Sequence, residues 1–266
     1  MLGVSNMRGD LGGSDFIGSE GIFNYDLRAS RLAIGTGIGM IRGPFSLGIN
    51  VLGTRLVGDD AYTIKEFEQN RNLRVRTDLI EANLIADWRP FSRSVGFNRF
   101  YIYGGIGGIY YQPKAKYNDE WIKLRTLGTE GQYLENGTGP YSELDLVVPF
   151  GLGYKFKLGK SISLVVDLGA RKTFTDYLDD VSTFYVDPTL LAEANGDLSP
   201  ILADRSVTAN AIGSQRGDPD KNDHYLILGF KLEYILGGKA GDGCYYNRNP
   251  PKTRSTRINQ RRMFTR

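Results

Sequence analysis

From Ser142 to Lys157 the chain reads SELDLVVPFGLGYKFK, and its side chains change character with a period of two. Leu144, Leu146, Val148, Phe150, Leu152, Tyr154 and Phe156 share one face. Glu143, Asp145, Val147, Pro149, Gly151, Gly153, Lys155 and Lys157 share the other. A strand sends successive side chains to opposite sides, so this run is a strand with one apolar face. After KLGK the pattern restarts, with Ile162, Leu164, Val166, Leu168 and Ala170 opposing Ser163, Val165, Asp167, Gly169 and Arg171. Two strands with so few residues between them form a hairpin.

The same pattern recurs in Arg31–Ile41, Phe45–Val57, Asp78–Phe91 and His224–Leu236. Leu2–Arg8 opens the chain as a strand, and Arg99–Tyr111 is a Gly- and aromatic-rich strand whose facing the sequence leaves open. That makes about eight strands. Their connections alternate in length. Those around Gly43, Ser92–Asn98 and Gly159 are short; Asp10–Ser30, Gly58–Thr77, Gln112–Tyr141 and Thr175–Asp223 are long. Tight turns at one rim and long loops at the other are the pattern of an up-and-down transmembrane barrel.

Alternation alone does not say which face is inside. Three features favour an apolar exterior. The polar face is rich in Gly, as a crowded lumen requires. It also carries both signs of charge, in Glu81, Asp87, Arg89, Glu143, Asp145, Lys155, Asp167, Arg171, Lys231 and Glu233, which can pair across a narrow interior. Aromatic residues (Phe45, Trp88, Tyr154, Phe156, Tyr234) gather near the short-turn ends of the apolar face, as an interfacial girdle does. The expectation is an all-β, eight-stranded antiparallel transmembrane barrel over residues 1–236, with long extracellular loops. Residues 237–266 form a basic tail on the side of the short turns, the periplasm of an outer-membrane protein. An eight-stranded interior is filled by its own side chains, so function is expected in loops, rims or tail.

No run is long and apolar enough for a membrane helix. Met1 leads directly into strand-like sequence rather than a leader, which fits either a cytoplasmic protein or a processed chain. With one Cys and one His, a disulfide framework within the chain and a His/Cys metal cluster are both excluded. No cofactor is expected: GTGIG and GGIGG lack the spacing and following helix of a nucleotide site. No nucleophile–base arrangement surrounds His224, so an enzyme is not expected.

The segment TDYLDDVSTFY, Thr175–Tyr185, places Asp176, Asp179 and Asp180 just past a strand end. With Asp187 they could gather a hard cation, but their spacing matches no cation loop. The expectation is a rim loop in which these acids cap turns. DPDKND, Asp218–Asp223, fails the EF-hand template, having Asp223 where Gly is needed and Gly229 where Glu is needed. The two RGD strings, Arg8–Asp10 and Arg216–Asp218, are short enough to arise by chance.

The opening LGVSNMRGDLGG, the run RKTFTDYLDDVSTFY, LADRS at Leu202–Ser206, and RGDPDKNDHYLILGFKLEYIL resemble PorG-like outer-membrane β-barrels of Bacteroidetes-type bacteria. The resemblance spans Leu2–Leu236 and is most specific in Thr173–Tyr185 and Arg216–Tyr234. It implies a non-enzymatic component of the type IX secretion and gliding machinery. Such a component anchors a periplasmic ring that contains a lipoprotein, and it implies prior removal of a leader. Beside it stands an alternative, an orphan barrel that binds surface ligands with its long loops.

The tail carries eight basic residues and one acid in a chain of net charge +3. A periplasmic location removes nucleic acid as its partner. Cys244, Tyr245, Arg248, Lys252, Arg254, Arg257, Arg261 and Arg262 are the expected contacts to ring subunits, with Arg forks pairing carboxylates. An odd Cys in an oxidising compartment suggests a disulfide from Cys244 to a partner subunit.

Overall fold

The computed structural model describes residues 1–11, 28–91, 99–159 and 161–236. The basic tail, with Cys244, Tyr245, Arg248, Lys252, Arg254, Arg257, Arg261 and Arg262, lies outside the described residues. Nine strands form one antiparallel sheet: β1 (Leu2–Arg8), β2 (Arg31–Arg42), β3 (Phe45–Asp59), β4 (Arg74–Trp88), β5 (Phe100–Tyr117), β6 (Glu120–Lys123), β7 (Leu144–Lys157), β8 (Ile162–Thr173) and β9 (His224–Tyr234). Eight of them close a barrel in the order β1-β2-β3-β4-β5-β7-β8-β9, with β9 pairing back to β1 from Leu2↔Phe230 to Arg8↔His224. Each barrel strand pairs with its neighbour in sequence, as expected. The short β6 is an addition. It folds back on β5 through Asn118 and Asp119, both left-handed, a two-residue turn whose twist matches its strands.

The orientation of the faces follows from exposure. Ile34, Ile38, Ile49, Leu84, Ile106, Leu146, Phe150 and Phe230 all point outward and are exposed. Phe45, Trp88, Phe156 and Tyr234 are exposed at the short-turn rim, where the girdle was expected. Such an apolar belt has no place in water, and closure leaves no unpaired backbone edge for lipid to meet. The chain therefore crosses a membrane as a closed barrel. Among the described residues no helix is long and apolar enough to cross.

The alternation changes sense at one height. On β4, Ile80, Ala82, Leu84, Ala86 and Trp88 face outward below Asp78, whereas above it Arg74 and Arg76 face outward and Val75 and Leu73 are buried. On β5, Tyr110 is the last outward apolar residue; Gln112, Lys114 and Lys116 follow it, while Tyr111 and Ala115 turn inward. Lipid lies outside the lower section and water outside the upper one. The upper strands and the long loops thus form a water-surrounded cap with its own core of Leu11, Leu73, Val75, Ala115, Leu124, Leu127, Val181 and Leu202. Within the cap lie three helices that sequence periodicity did not reveal: α1 (Glu66–Arg71), α2 (Pro188–Asn195) and α3 (Leu198–Ala203). Each spans only about two turns, too short for a readable amphipathic stripe.

The lumen is not uniformly polar. Its upper half holds an apolar cluster of Ala33, Leu52, Leu56, Leu79, Ile109, Val147 and Ile227 beneath Leu178 of the cap, with the buried hydroxyls of Ser5, Thr54 and Thr77 among them. A charge placed on the outer face at mid-height, Leu84→Arg, should cost about 2–4 kcal/mol, and Gln112→Arg, above the change of sense, about 0–1 kcal/mol. Urea unfolding from lipid vesicles measures both. Equal costs would refute the boundary at Asp78.

Candidate functional site

Two charged layers occupy the interior. The lower one lies in the membrane-spanning section. Asp167, on β8, accepts from the hydroxyls of Tyr101 (2.7 Å) and Tyr103 (3.0 Å) and pairs with Lys231 Nζ at 2.9 Å. Arg171, two repeats of the pleat higher, reaches the Tyr103 hydroxyl at 3.4 Å and stands 3.6 Å from Glu81. Glu81 also accepts from the Tyr225 hydroxyl at 2.7 Å and from Asn83, which in turn accepts from Asn50 at 3.1 Å. Lys155 pairs with Glu233 nearer the short turns, and Asp87 accepts from Ser46 at 2.7 Å. Gly153 and Gly169 matter here. The Tyr101 ring occupies the space a side chain at 153 would need, and the Tyr103 hydroxyl does so at 169. Small residues on the inner face thus make room for tyrosines that carry the carboxylate's hydrogen bonds.

Of the ten residues expected in this layer, eight face inward, and two, Arg89 and Glu143, do not. Arg89 lies at the rim, where its Nη2 and backbone N–H donate to the carbonyls of Gly43 (2.5 Å) and Pro44 (2.9 Å) and clamp the β2–β3 turn. Glu143 precedes β7 and lies outside, accepting from the outward Tyr110 hydroxyl and from Gln112 at 3.3 Å each. The strand ends there, so period-two counting no longer holds. Asp145 faces inward but accepts from the backbone N–H of Phe174 at 2.7 Å rather than from a cation.

The upper layer ties the cap together, and sequence reading missed its centre. Arg71, at the end of α1, grips Asp60 with two nitrogens (2.8 and 2.9 Å). It also donates to the carbonyls of Arg216 (2.7 Å) and Asp10 (2.5 Å). Arg216 donates to Glu130 (2.7 Å) and to the carbonyls of Asp180 (2.5 Å) and Ala203 (3.0 Å). Both guanidinium side chains are almost wholly buried. Glu130 accepts in addition from the backbone N–H groups of Ser182 (2.9 Å) and Thr183 (3.1 Å). All four long loops meet at these two arginines. The signal available was slight: Arg216 lies in an RGD string short enough to arise by chance, and Arg71 within the long connection Gly58–Thr77.

Asp176, Asp179 and Asp180 are not at a solvated rim. All three are buried: Asp176 is 7% exposed, and Asp179 and Asp180 are 0%. Turn capping holds in part. Asp179 accepts from Leu11 N (3.0 Å) and Val181 N (3.1 Å), whereas Asp180 accepts from the hydroxyls of Thr129 (2.5 Å) and Tyr141 (2.6 Å). Asp180 itself is left-handed at φ 63. Both carboxylate oxygens of Asp176, and Oδ1 of Asp223, are buried without a hydrogen-bond partner among the described residues. Among the described residues no three acidic, His or Cys groups converge as the ligands of a metal ion would.

Burial pushes Asp176 and Asp179 up to about 8, and the neighbouring Asp10 carboxylate adds to the rise in both. Asp223 rises too, from burial and from Asp179 and Asp176 beside it. Asp180 reaches about 6, burial outweighing the opposing Arg216. Each acid therefore binds its proton more tightly in the folded cap than in the unfolded chain. Their contribution is greatest below pH 4 and is lost as pH rises towards 8. Cap stability should fall across that window and level off above it, and Asp176→Asn should flatten the slope. Hydrogen exchange of cap amides from pH 5 to pH 9 measures this. Arg216→Met should cost the cap about 3–5 kcal/mol by leaving Glu130 and Asp180 buried without their cation, with the barrel intact. Limited proteolysis read against heat-modifiable gel mobility separates the two effects.

No family model and no curated protein matches the chain. Among solved structures it is similar to the crystal structure of Acinetobacter baumannii CarO2, at 12% identity and a TM-score of 0.31, over 88% of this chain and 98% of that one.

Proposed function

We propose that the protein is a non-conducting outer-membrane barrel that anchors a periplasmic assembly of the type IX secretion and gliding machinery. The observation that carries this reading is the filled interior. The Glu81–Arg171 and Asp167–Lys231 pairs, bonded to three tyrosines, lie beneath an apolar plug and a cap locked by Arg71 and Arg216. A barrel so filled leaves its work to its two ends. The likeness of Thr173–Tyr185 and Arg216–Tyr234 to PorG-like barrels supports the secretion role, and the excess of Arg and Lys in residues 237–266 supports an acidic periplasmic partner.

Two measurements test the parts separately. Planar bilayers in molar KCl should show no conductance steps; stable steps would overturn the sealed interior. Deleting Gly241 to Arg266 should abolish co-purification of lipoprotein-containing ring subunits and impair secretion while the barrel still inserts. Unchanged co-purification and secretion would sink the anchoring role. One feature favours loops that bind surface ligands instead: Ile64, Phe67, Phe184, Val207 and Ile212 stand exposed in the cap. Under that reading their replacement, and not tail deletion, removes function.

A further inference from the structure

The outer face of β3–β6 carries an unusual junction at the height where the alternation changes sense. Just below it, Ile80, Ala82, Gly108, Tyr110, Leu144 and Leu146 line an open groove of about 510 Å³. The groove exists because Ala82 and Gly108 are directly paired and both face outward, between larger neighbours. A side chain at Gly108 would meet only the Asp145 carbonyl, at 3.8 Å, so this absence of bulk is not imposed by packing.

Just above the groove, three cations converge on one carboxylate. Asp78 receives Lys114 Nζ at 2.7 Å, Arg76 Nη2 at 3.1 Å and Arg55 Nε at 3.2 Å. Arg76 also lies over the Trp121 ring at 4.3 Å, and Lys123 pairs directly across from Lys114. Two further carboxylates lie beside the groove: Glu143, which Tyr110 and Gln112 hold, and Asp145, which lines it and accepts from the backbone N–H of Phe174. Positive charge is left in excess. Arg55, Arg76, Lys114 and Lys123 stand on four neighbouring strands, a span of roughly 14 Å at ~4.8 Å per strand. The Arg55 side chain is 61% exposed.

We propose that this junction binds a phosphorylated glycolipid of the outer leaflet, with acyl chain in the groove and phosphate on the cations. An apolar slot below the lipid boundary and net positive charge just above it complement an anionic amphiphile. The width of the cationic row suits a sugar-phosphate head better than a single small phosphodiester. The long-loop rim must face the cell exterior for this; the inference is otherwise independent of the secretion role.

Native mass spectrometry of the full-chain barrel, released from detergent, tests it with three probes: bis-phosphorylated lipid A, its dephosphorylated form, and phosphatidylglycerol. Phosphorylated lipid A should give a 1:1 adduct, at least tenfold more than either other lipid. Arg76→Ala/Lys114→Ala and, separately, Gly108→Leu should each reduce it about tenfold. Arg42→Ala, at the opposite rim, should not. Should the double variant not fold, Lys123→Ala with Gly108→Leu carries the test. Equal adducts with phosphatidylglycerol, equal adducts after dephosphorylation, or unchanged binding in the folded variants would each overturn the proposal.

Discussion

Everything in this molecule follows from the closure of β9 onto β1. Hydrocarbon offers no hydrogen bonds, so each backbone donor and acceptor in the lipid layer must find its partner on a neighbouring strand. Once the ring closes, the outer face is committed to apolar side chains and the inner face must be filled with whatever fits. Eight strands leave little room. Inner-face Gly at 153 and 169 therefore coexists with Tyr101 and Tyr103, whose rings take the released volume and whose hydroxyls satisfy Asp167.

The two charged layers answer the same difficulty in different ways. In the membrane section, acids and bases pair side chain to side chain across the lumen, as in Asp167 with Lys231. In the cap, acids outnumber nearby bases. Some, such as Asp60, are held by a guanidinium; others, such as Asp176 and Asp223, are pushed by burial towards holding their protons. The buried acids make the stability of the cap depend on pH.

The strands were legible because lipid on one side and a polar lumen on the other impose a simple alternation. They became illegible wherever that contrast failed. On β5, Ile102, Ile106 and Tyr110 face lipid while Tyr101, Tyr103, Ile109 and Tyr111 face inward, so both faces look apolar and the facing stays open from sequence. On β4, residues 74–77 alternate in the opposite sense because water replaces lipid outside them, and the strand reads as starting at Asp78 when it starts at Arg74. The tertiary partners of Arg71 and Arg216 lie far away in the chain, and nothing local distinguishes a buried guanidinium from a solvated one. The tail, on which the expected partner contacts fall, lies outside the described residues.

Arg71 and Arg216 meet much of the cap through main-chain carbonyls: those of Asp10, Arg216, Asp180 and Ala203. A carbonyl is present whatever side chain the residue bears. The loops around these two arginines can therefore change residue type at many positions without loosening the knot, provided their backbone path is kept. Substitution at the arginines themselves has no such latitude. The cap can thus tolerate change over its surface while its interior stays pinned.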